Sequence, residues 1–282
     1  MWAEPLNSSI SRGRLRDYHK PACELVVTRL RANYDTERKP RCDFQPVFVA
    51  VLQDGLQFES GIGMNKIGVI HTTKATIDRL AELINSKIRD AEVYNILDDS
   101  ILKDMADERN MELVRWRWME YARILEKMGM DIILSACSTV GEFAEEADRE
   151  LVVPVLRIDE AMAEKAVLQG EKICVFATLN STLKPTVSLI KRKASEAGKA
   201  VCVKGVLVEG AYDALMSQKK ELHDRKIAEA VEAYMGEGDV IVLAQASMAS
   251  AVTSAEGMDQ KRVLTSPELG IEKLKESLCK AY

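Results

Sequence analysis

Two short segments of the chain are nearly the same, except that one carries a cysteine where the other carries a glutamine. Residues 131–139 read D-I-I-L-S-A-C-S-T and residues 239–247 read D-V-I-V-L-A-Q-A-S, which aligns Cys137 with Gln245. A positioned thiol can move a proton to or from a reacting carbon, whereas a neutral amide cannot exchange protons near neutral pH. If both residues face one ligand, the sequence predicts a site with a proton carrier on one side only.

Cys137 stands between an apolar run and a predicted helix that begins near Val140. The positive end of a helix dipole favours the thiolate form of a nearby cysteine. Ser138 and Thr139 follow directly and offer hydroxyl and backbone N–H donors to a carboxylate or a developing enediolate. We therefore interpret Cys137 as catalytic in preference to a buried and inert cysteine.

The similarity of the two halves extends upstream of these segments. Residues 66–77 (K-I-G-V-I-H-T-T-K-A-T-I) match residues 172–183 (K-I-C-V-F-A-T-L-N-S-T-L). The step from the first lysine to the aligned cysteine is 71 residues, and the step from the second lysine to the aligned glutamine is 73 residues. A register shared over this length predicts an internal duplication.

Apolar runs and stretches of helical periodicity alternate from residue 66 onwards. They predict strands at 66–71, 92–97, 131–136, 153–158, 172–178, 201–208, 239–245 and 262–265. They predict helices at 76–88, 109–128, 140–151, 159–169, 183–197, 222–234 and 267–278. This alternation indicates βαβ units and parallel sheets. Because the units occur twice, we expect an α/β fold with two pseudo-symmetric lobes and a cleft between them.

The chain divides into three parts in this interpretation. Residues 64–158, together with a C-terminal helix at 267–282, form the first lobe, and residues 159–266 form the second. Residues 1–63 have no counterpart in the repeat and hold four of the seven prolines. Two interpretations stay open for them. Either Met64 is the natural start and they are upstream sequence, or they form a real extension, disordered or packed on the body or on a partner.

Composition argues against several classes of partner. The net charge is −5 and no basic block occurs, which argues against nucleic acid. No apolar run approaches the ~18 residues that a membrane span needs. The six cysteines have neither CxxC nor Cys/His spacing, which favours reduced thiols over zinc or disulfides. We expect a cytoplasmic protein without a zinc site, bound neither to nucleic acid nor to a membrane.

Further polar residues follow the ends of predicted strands. His71 ends the first strand and is a candidate proton carrier. Thr72 and Thr73 come next and are candidate ligands for a carboxylate. Ser247 follows Gln245 and suits either an oxyanion donor or a helix N-cap, and the two roles are compatible.

These turns together resemble the cofactor-independent aspartate/glutamate racemase superfamily, which includes hydantoin racemases, maleate isomerases and arylmalonate decarboxylases. The shared features are polar residues after the first strand, Cys-Ser-Thr after the third, an Ala-Thr turn opening the second half and a small-residue turn near its end. The resemblance covers residue 66 to the C-terminus. It implies two flavodoxin-like α/β lobes with the active site between them and no metal, pyridoxal phosphate or other cofactor. Members of the family often form homodimers, but the sequence leaves the oligomeric state open.

The resemblance also implies roles for individual residues. Family members place one cysteine on each lobe, as acid and base on opposite faces of an α-carbon. Cys137 matches the first cysteine. The segment L-A-Q-A-S-M at 243–248 puts Gln245 in the position of the second, with Ala246 and Ser247 beside it.

A Thr-x-x-Thr turn of the family binds substrate near the start of the second half. Thr178 matches its first threonine. Ser181 and Thr182 both fit its second threonine, and the sequence does not decide between them.

Three functions stay open. The first is a racemase or isomerase acting on a small carboxylate, such as an amino acid or a hydantoin-like compound, with His71 or another residue in place of the second thiol. The second is a one-thiol enzyme of decarboxylase type, in which a single protonation of an enediolate suffices. The third is a binding protein for small carboxylates that has lost the reaction. Gln245 favours the last two, whereas the turn at Cys137 favours the first two.

Overall fold

The computed structural model describes residues 65–253 and 260–280. Its strands are β1 Asn65–His71, β2 Ala91–Leu97, β3 Ile132–Ser135, β4 Val155–Arg157, β5 Lys172–Ala177, β6 Cys202–Leu207, β7 Val240–Leu243 and β8 Val263–Thr265. Its helices are α1 Ile77–Lys87, α2 Ile101–Asp104, α3 Met111–Lys127, α4 Gly141–Glu150, α5 Glu160–Gln169, α6 Asn180–Glu196, α7 Ala211–Met216, α8 Lys220–Tyr234, α9 Ala249–Thr253 and α10 Ser266–Lys280. The predictions for residues 1–63 lie outside the described residues.

Every predicted strand and helix is found within the described ranges, with ends shifted by up to a few residues. The sequence missed three short helices, α2, α7 and α9, which have between four and six residues each. Such segments are too short to show a helical period. In the part of the chain that the structure describes, no helix is long and apolar enough to cross a membrane.

The strands form two parallel sheets of identical topology. The order is β2-β1-β3-β4 in the first sheet and β6-β5-β7-β8 in the second. This is the beginning of the flavodoxin-like order, in which ligands bind where the strand order reverses. The predicted α/β fold with two similar lobes is confirmed.

The duplication extends to individual hydrogen bonds at the start of the central strands. Asp131 Oδ2 accepts from the backbone N–H of Lys66 at 2.7 Å. Asp239 Oδ2 accepts from the backbone N–H of Lys172 at 2.9 Å. The aspartates that open the two aligned segments therefore join neighbouring strands in the same way in each lobe.

Helices cover both faces of each sheet, as is usual for parallel sheets. In the first lobe, α3 and α4 pack on one face, and α1 and α10 pack on the other. In the second lobe, α5 and α6 pack on one face, and α8 packs on the other. The C-terminal helix α10 thus returns to the first lobe, where Ile271 and Leu274 are fully buried beside Ile67 and Val69.

A buried arginine fixes the helix that follows Cys137. Arg157 donates to both carboxylate oxygens of Asp159, at 2.7 and 3.0 Å, and also to Glu145 of α4. Burial lowers the pKa of Arg157, but these two carboxylates outweigh it and raise the pKa overall. Gly141, the first residue of α4, lies directly against the guanidinium. A Cβ atom there would come within 2.4 Å of Arg157 Cζ.

We predict that Gly141→Ala destabilises the fold by about 1–3 kcal/mol, because the added methyl group overlaps a guanidinium that two carboxylates hold in place. Urea unfolding measures the change. Gly236→Ala is the matched control, since a Cβ atom at Gly236 has no neighbour within 4 Å. Equal losses of stability in the two variants would show that the close approach at Gly141 has no importance.

Candidate active site

A cavity of about 350 Å³ lies at the carboxyl ends of the central strands of both sheets. Its lining includes residues that follow β1, β3 and β7, and Thr182 from the first turn of α6 after β5. Cys137 and Gln245 both line it. The two residues that the sequence aligned therefore share one cavity, with one contributed by each lobe.

Cys137 and Gln245 occupy equivalent positions in the backbone. The N–H of Ala136 donates to the carbonyl of Ile70 at 3.0 Å, and the N–H of Ala244 donates to the carbonyl of Phe176 at 2.9 Å. The next residue in each lobe is extended, with φ/ψ of −139°/122° at Cys137 and −127°/137° at Gln245. A 3-10 turn follows each of them. The backbone is therefore the same at the two positions, and only the chemistry of the side chains differs.

Thr178 fixes the orientation of the Gln245 amide. Its backbone N–H and its hydroxyl group both approach the same amide atom, at 2.7 and 2.8 Å. Because a backbone N–H can only donate, that atom must be the carbonyl oxygen Oε1. Nε2 has no hydrogen-bond partner among the described residues. Gln245 can therefore offer a ligand N–H donors but no group that exchanges a proton.

Two buried hydrogen bonds tie the Cys137 turn to the second lobe. The hydroxyl group of Ser138 donates to the carbonyl of Ala244 at 3.1 Å. The hydroxyl groups of Thr139 and Thr182 lie 2.8 Å apart and share a hydrogen bond. These hydroxyls, predicted as substrate donors, instead join the lobes. The donors that remain at this turn are backbone N–H groups, because the first N–H groups of a helix have no acceptor within it.

His71 does not line the cavity, although the sequence suggested it as a proton carrier. Its side chain is fully buried, with Nδ1 at 2.8 Å from Thr76 Oγ1 and Nε2 at 2.9 Å from Asn95 Oδ1. Burial lowers the pKa of His71, and the Asn95 hydrogen bond only partly opposes this. Both ring nitrogens are engaged, so His71 supports the turn after β1 and is not placed to reach a substrate.

The other predicted binding residues divide into two groups. Those that line the cavity are Thr72, Thr73, Ser138, Thr139, Thr182, Ala246 and Ser247. Thr178 and Ser181 do not line it. The structure thus places Thr182, and not Ser181, at the cavity. Thr73 Oγ1 accepts from the N–H of Ala75, whereas the hydroxyls of Thr72 and Ser247 have no partner among the described residues and are free for a ligand.

Sequence reasoning missed one side of the cavity. Helix α7 presents Tyr212, Leu215 and Met216 to it, at the i, i+3, i+4 spacing of one helical face. Arg79 of α1 and Lys220 of α8 contribute the charged side chains of the lining. The spacing on α7 was present in the sequence, but only the tertiary structure shows that this helix lies over the strand ends.

The model of the Asp/Glu/hydantoin racemase family matches residues 67–274, which is most of the chain. The protein belongs to this family. No curated protein matches the chain significantly in sequence.

Solved structures of racemases share this fold. Glutamate racemase from Aquifex pyrophilus is 22% identical, with a TM-score of 0.57 over 75% of this chain and 83% of that one. A glutamate racemase isoform from Bacillus anthracis is 17% identical, with a TM-score of 0.64 over 77% and 82%. Allantoin racemase from Klebsiella pneumoniae is 19% identical, with a TM-score of 0.57 over 77% and 88%.

We predict that the protein loses stability as the pH falls below about 6.5, the ordinary pKa of histidine. The folded state holds His71 at a lowered pKa, so the unfolded chain binds a proton more readily and acid favours unfolding. Urea unfolding of the wild type and of His71→Gln, measured between about pH 7.5 and 5.5, tests this. The free energy of unfolding should depend less steeply on pH in the variant than in the wild type. Parallel curves would mean that His71 contributes nothing to the pH dependence.

Proposed function

We propose that the protein catalyses proton transfer at the carbon next to the carboxylate of a small substrate, with Cys137 as the proton carrier. The observation that carries this proposal is that Cys137 shares a cavity with Gln245 at matching strand ends. Membership of the racemase family supports the same class of chemistry. The reaction type is that of a cofactor-independent isomerase.

In the proposed step, the Cys137 thiolate takes the α-proton. The C–H bond breaks, an S–H bond forms, and the electron pair moves into the carboxylate to give an enediolate. Return of a proton from the thiol reverses these changes. The new negative charge needs hydrogen-bond donors that are already in place. Gln245 Nε2, the Thr72 and Ser247 hydroxyls and the N–H groups of the turn after Cys137 are available for this.

Racemisation needs a second proton carrier on the opposite face of the carbon. Gln245 aligns with the second cysteine of the family and Thr178 holds its amide, while His71 is fully buried and does not line the cavity. Among the described residues that line the cavity, only Arg79, Tyr212 and Lys220 can ionise besides Cys137. We propose that Cys137 adds and removes the proton from one face, so that exchange with solvent proceeds mainly with retention.

We predict that Cys137→Ala lowers exchange of the substrate α-proton in heavy water by at least about a hundredfold, the usual contribution of a positioned acid or base. Proton NMR on a panel of chiral amino acids, hydantoins and substituted carboxylates measures the exchange. Cys202→Ser is the matched control, because Cys202 is exposed on β6 and does not line the cavity. Unchanged exchange in Cys137→Ala would disprove the assigned role.

One-thiol decarboxylation is a second candidate function, favoured by the fixed amide at Gln245. Loss of carbon dioxide from a disubstituted malonate breaks a C–C bond and leaves the electron pair as an enediolate. One proton from Cys137 then completes the product, and water restores the thiol. If this reaction occurs, release of carbon dioxide will give product of a single handedness. Racemic product would argue against delivery from one face.

A further inference from the structure

Among the described residues, the charged side chains that line the cavity all carry the same sign. They are Arg79 and Lys220, and the described lining contains no aspartate, glutamate or histidine. Arg79 forms no ion pair or hydrogen bond with any described residue, so its guanidinium is free to attract an anion. Lys220 is already paired with Asp224 and also donates to Ser250 at 2.7 Å.

An ammonium group would be poorly accommodated here. A cation that leaves water needs an anionic partner or a full set of acceptors. The nearby carboxylate of Asp224 is occupied by Lys220 and His223. The free hydroxyls of Thr72 and Ser247 can accept hydrogen bonds but cannot neutralise a charge. A free α-amino acid would therefore place its ammonium group among cations and neutral side chains.

The remaining lining is mainly apolar. One face of α7 contributes Tyr212, Leu215 and Met216, and Leu80 and Leu102 add aliphatic surface from α1 and α2. Apolar surface of this kind binds a substituent by removing it from water. The cavity volume of about 350 Å³ lies at the lower end of the range for small-molecule sites, so the substituent must be of modest size.

We infer that the substrate is a small acid that carries no ammonium group and bears an apolar substituent on the reacting carbon. Arg79 attracts its negative charge, and the α7 face packs against the substituent. As a statement about substrate this inference rests on the proposed function, but its central claim concerns binding, which is measured separately from proton transfer.

Calorimetric titration of the wild-type protein tests the inference with ligands that share a benzyl group. We expect benzylmalonate or 5-benzylhydantoin to bind at least about tenfold more tightly than phenylalanine, a difference of about 1.4 kcal/mol. Glutamate should bind no better than phenylalanine, and methylmalonate should bind more weakly than benzylmalonate. Benzylmalonate presents carboxylates and 5-benzylhydantoin presents an acidic ring N–H, so comparing them shows which of the two acidic groups the cavity recognises.

The inference is wrong if phenylalanine or glutamate binds within about twofold of the better benzyl ligand, or if neither benzyl compound binds. Selective binding without α-proton exchange would leave it standing and overturn the proposed function. If the α-proton of free amino acids exchanges as fast as that of 5-benzylhydantoin, the proposed function stands and this inference is wrong.

Variants locate the binding groups. Leu215→Asp should weaken binding of the preferred benzyl ligand by about tenfold or more, because it puts a negative charge on the apolar face. Leu215→Asn loses the same packing without adding a charge, so the difference between the two variants measures the effect of the charge. Val152→Asp is the surface control, since Val152 is 96% exposed and does not line the cavity.

The Arg79 guanidinium is tested in the same way. Arg79→Gln should weaken binding by about fivefold, whereas Arg89→Gln, which lies outside the cavity, should leave binding unchanged. Equal effects in test and control variants would contradict the assigned positions.

Discussion

The structure of the site depends on two buried hydrogen bonds that cross from one lobe to the other. Ser138 donates to the carbonyl of Ala244, and Thr139 pairs with Thr182. Each bond contributes only about 1 kcal/mol net, but a buried polar group left without a partner would cost more. Their main effect is geometric. The Ser138 bond joins the turn that carries Cys137 to the segment that carries Gln245, and the Thr139 bond joins the same turn to α6. Both bonds hold the lobes together where Cys137 and Gln245 line one cavity.

Duplication explains why these two residues occupy matching positions, and side-chain chemistry explains why the positions are not equivalent. The same order of strands and the same main-chain hydrogen bonds bring each of them to the end of a central strand. In the second lobe, Thr178 uses its N–H and its hydroxyl to fix the amide oxygen of Gln245. The result is a fixed hydrogen-bond donor in the cavity that the thiol also lines, an arrangement that suits stabilisation of charge better than exchange of protons.

The sequence was sufficient for the parts of the structure that repeat. Buried parallel strands are continuous apolar runs, so the central strands and the alignment of Cys137 with Gln245 were visible directly. The sequence could not show which hydroxyls are consumed by packing. Ser138 and Thr139 looked like substrate ligands, yet their partners are more than forty residues away. The sequence also could not show that His71 is buried, because its partners Thr76 and Asn95 meet it only in the folded protein.

The side of the cavity that α7 forms was also not predictable from the sequence. A helix of six residues has little local signal, and its contribution of Tyr212, Leu215 and Met216 depends on where the preceding strand delivers it. Arg79 likewise belongs to an ordinary amphipathic helix, and only its position beside the strand ends makes it a candidate anion ligand. The shared location of Cys137 and Gln245 at strand ends was therefore predictable, whereas the contribution of α1 and α7 to the cavity was not.

The most direct test of the central claim is the stereochemical course of proton exchange in Gln245→Cys, compared with the wild type and with Gln245→Ala. Chiral chromatography and NMR in heavy water separate inversion from exchange with retention. The account predicts that exchange is faster than inversion in the wild type, and that inversion rises toward the exchange rate only when a second thiol stands opposite Cys137. Wild-type inversion as fast as exchange, or no gain of inversion in an otherwise folded Gln245→Cys protein, would contradict it.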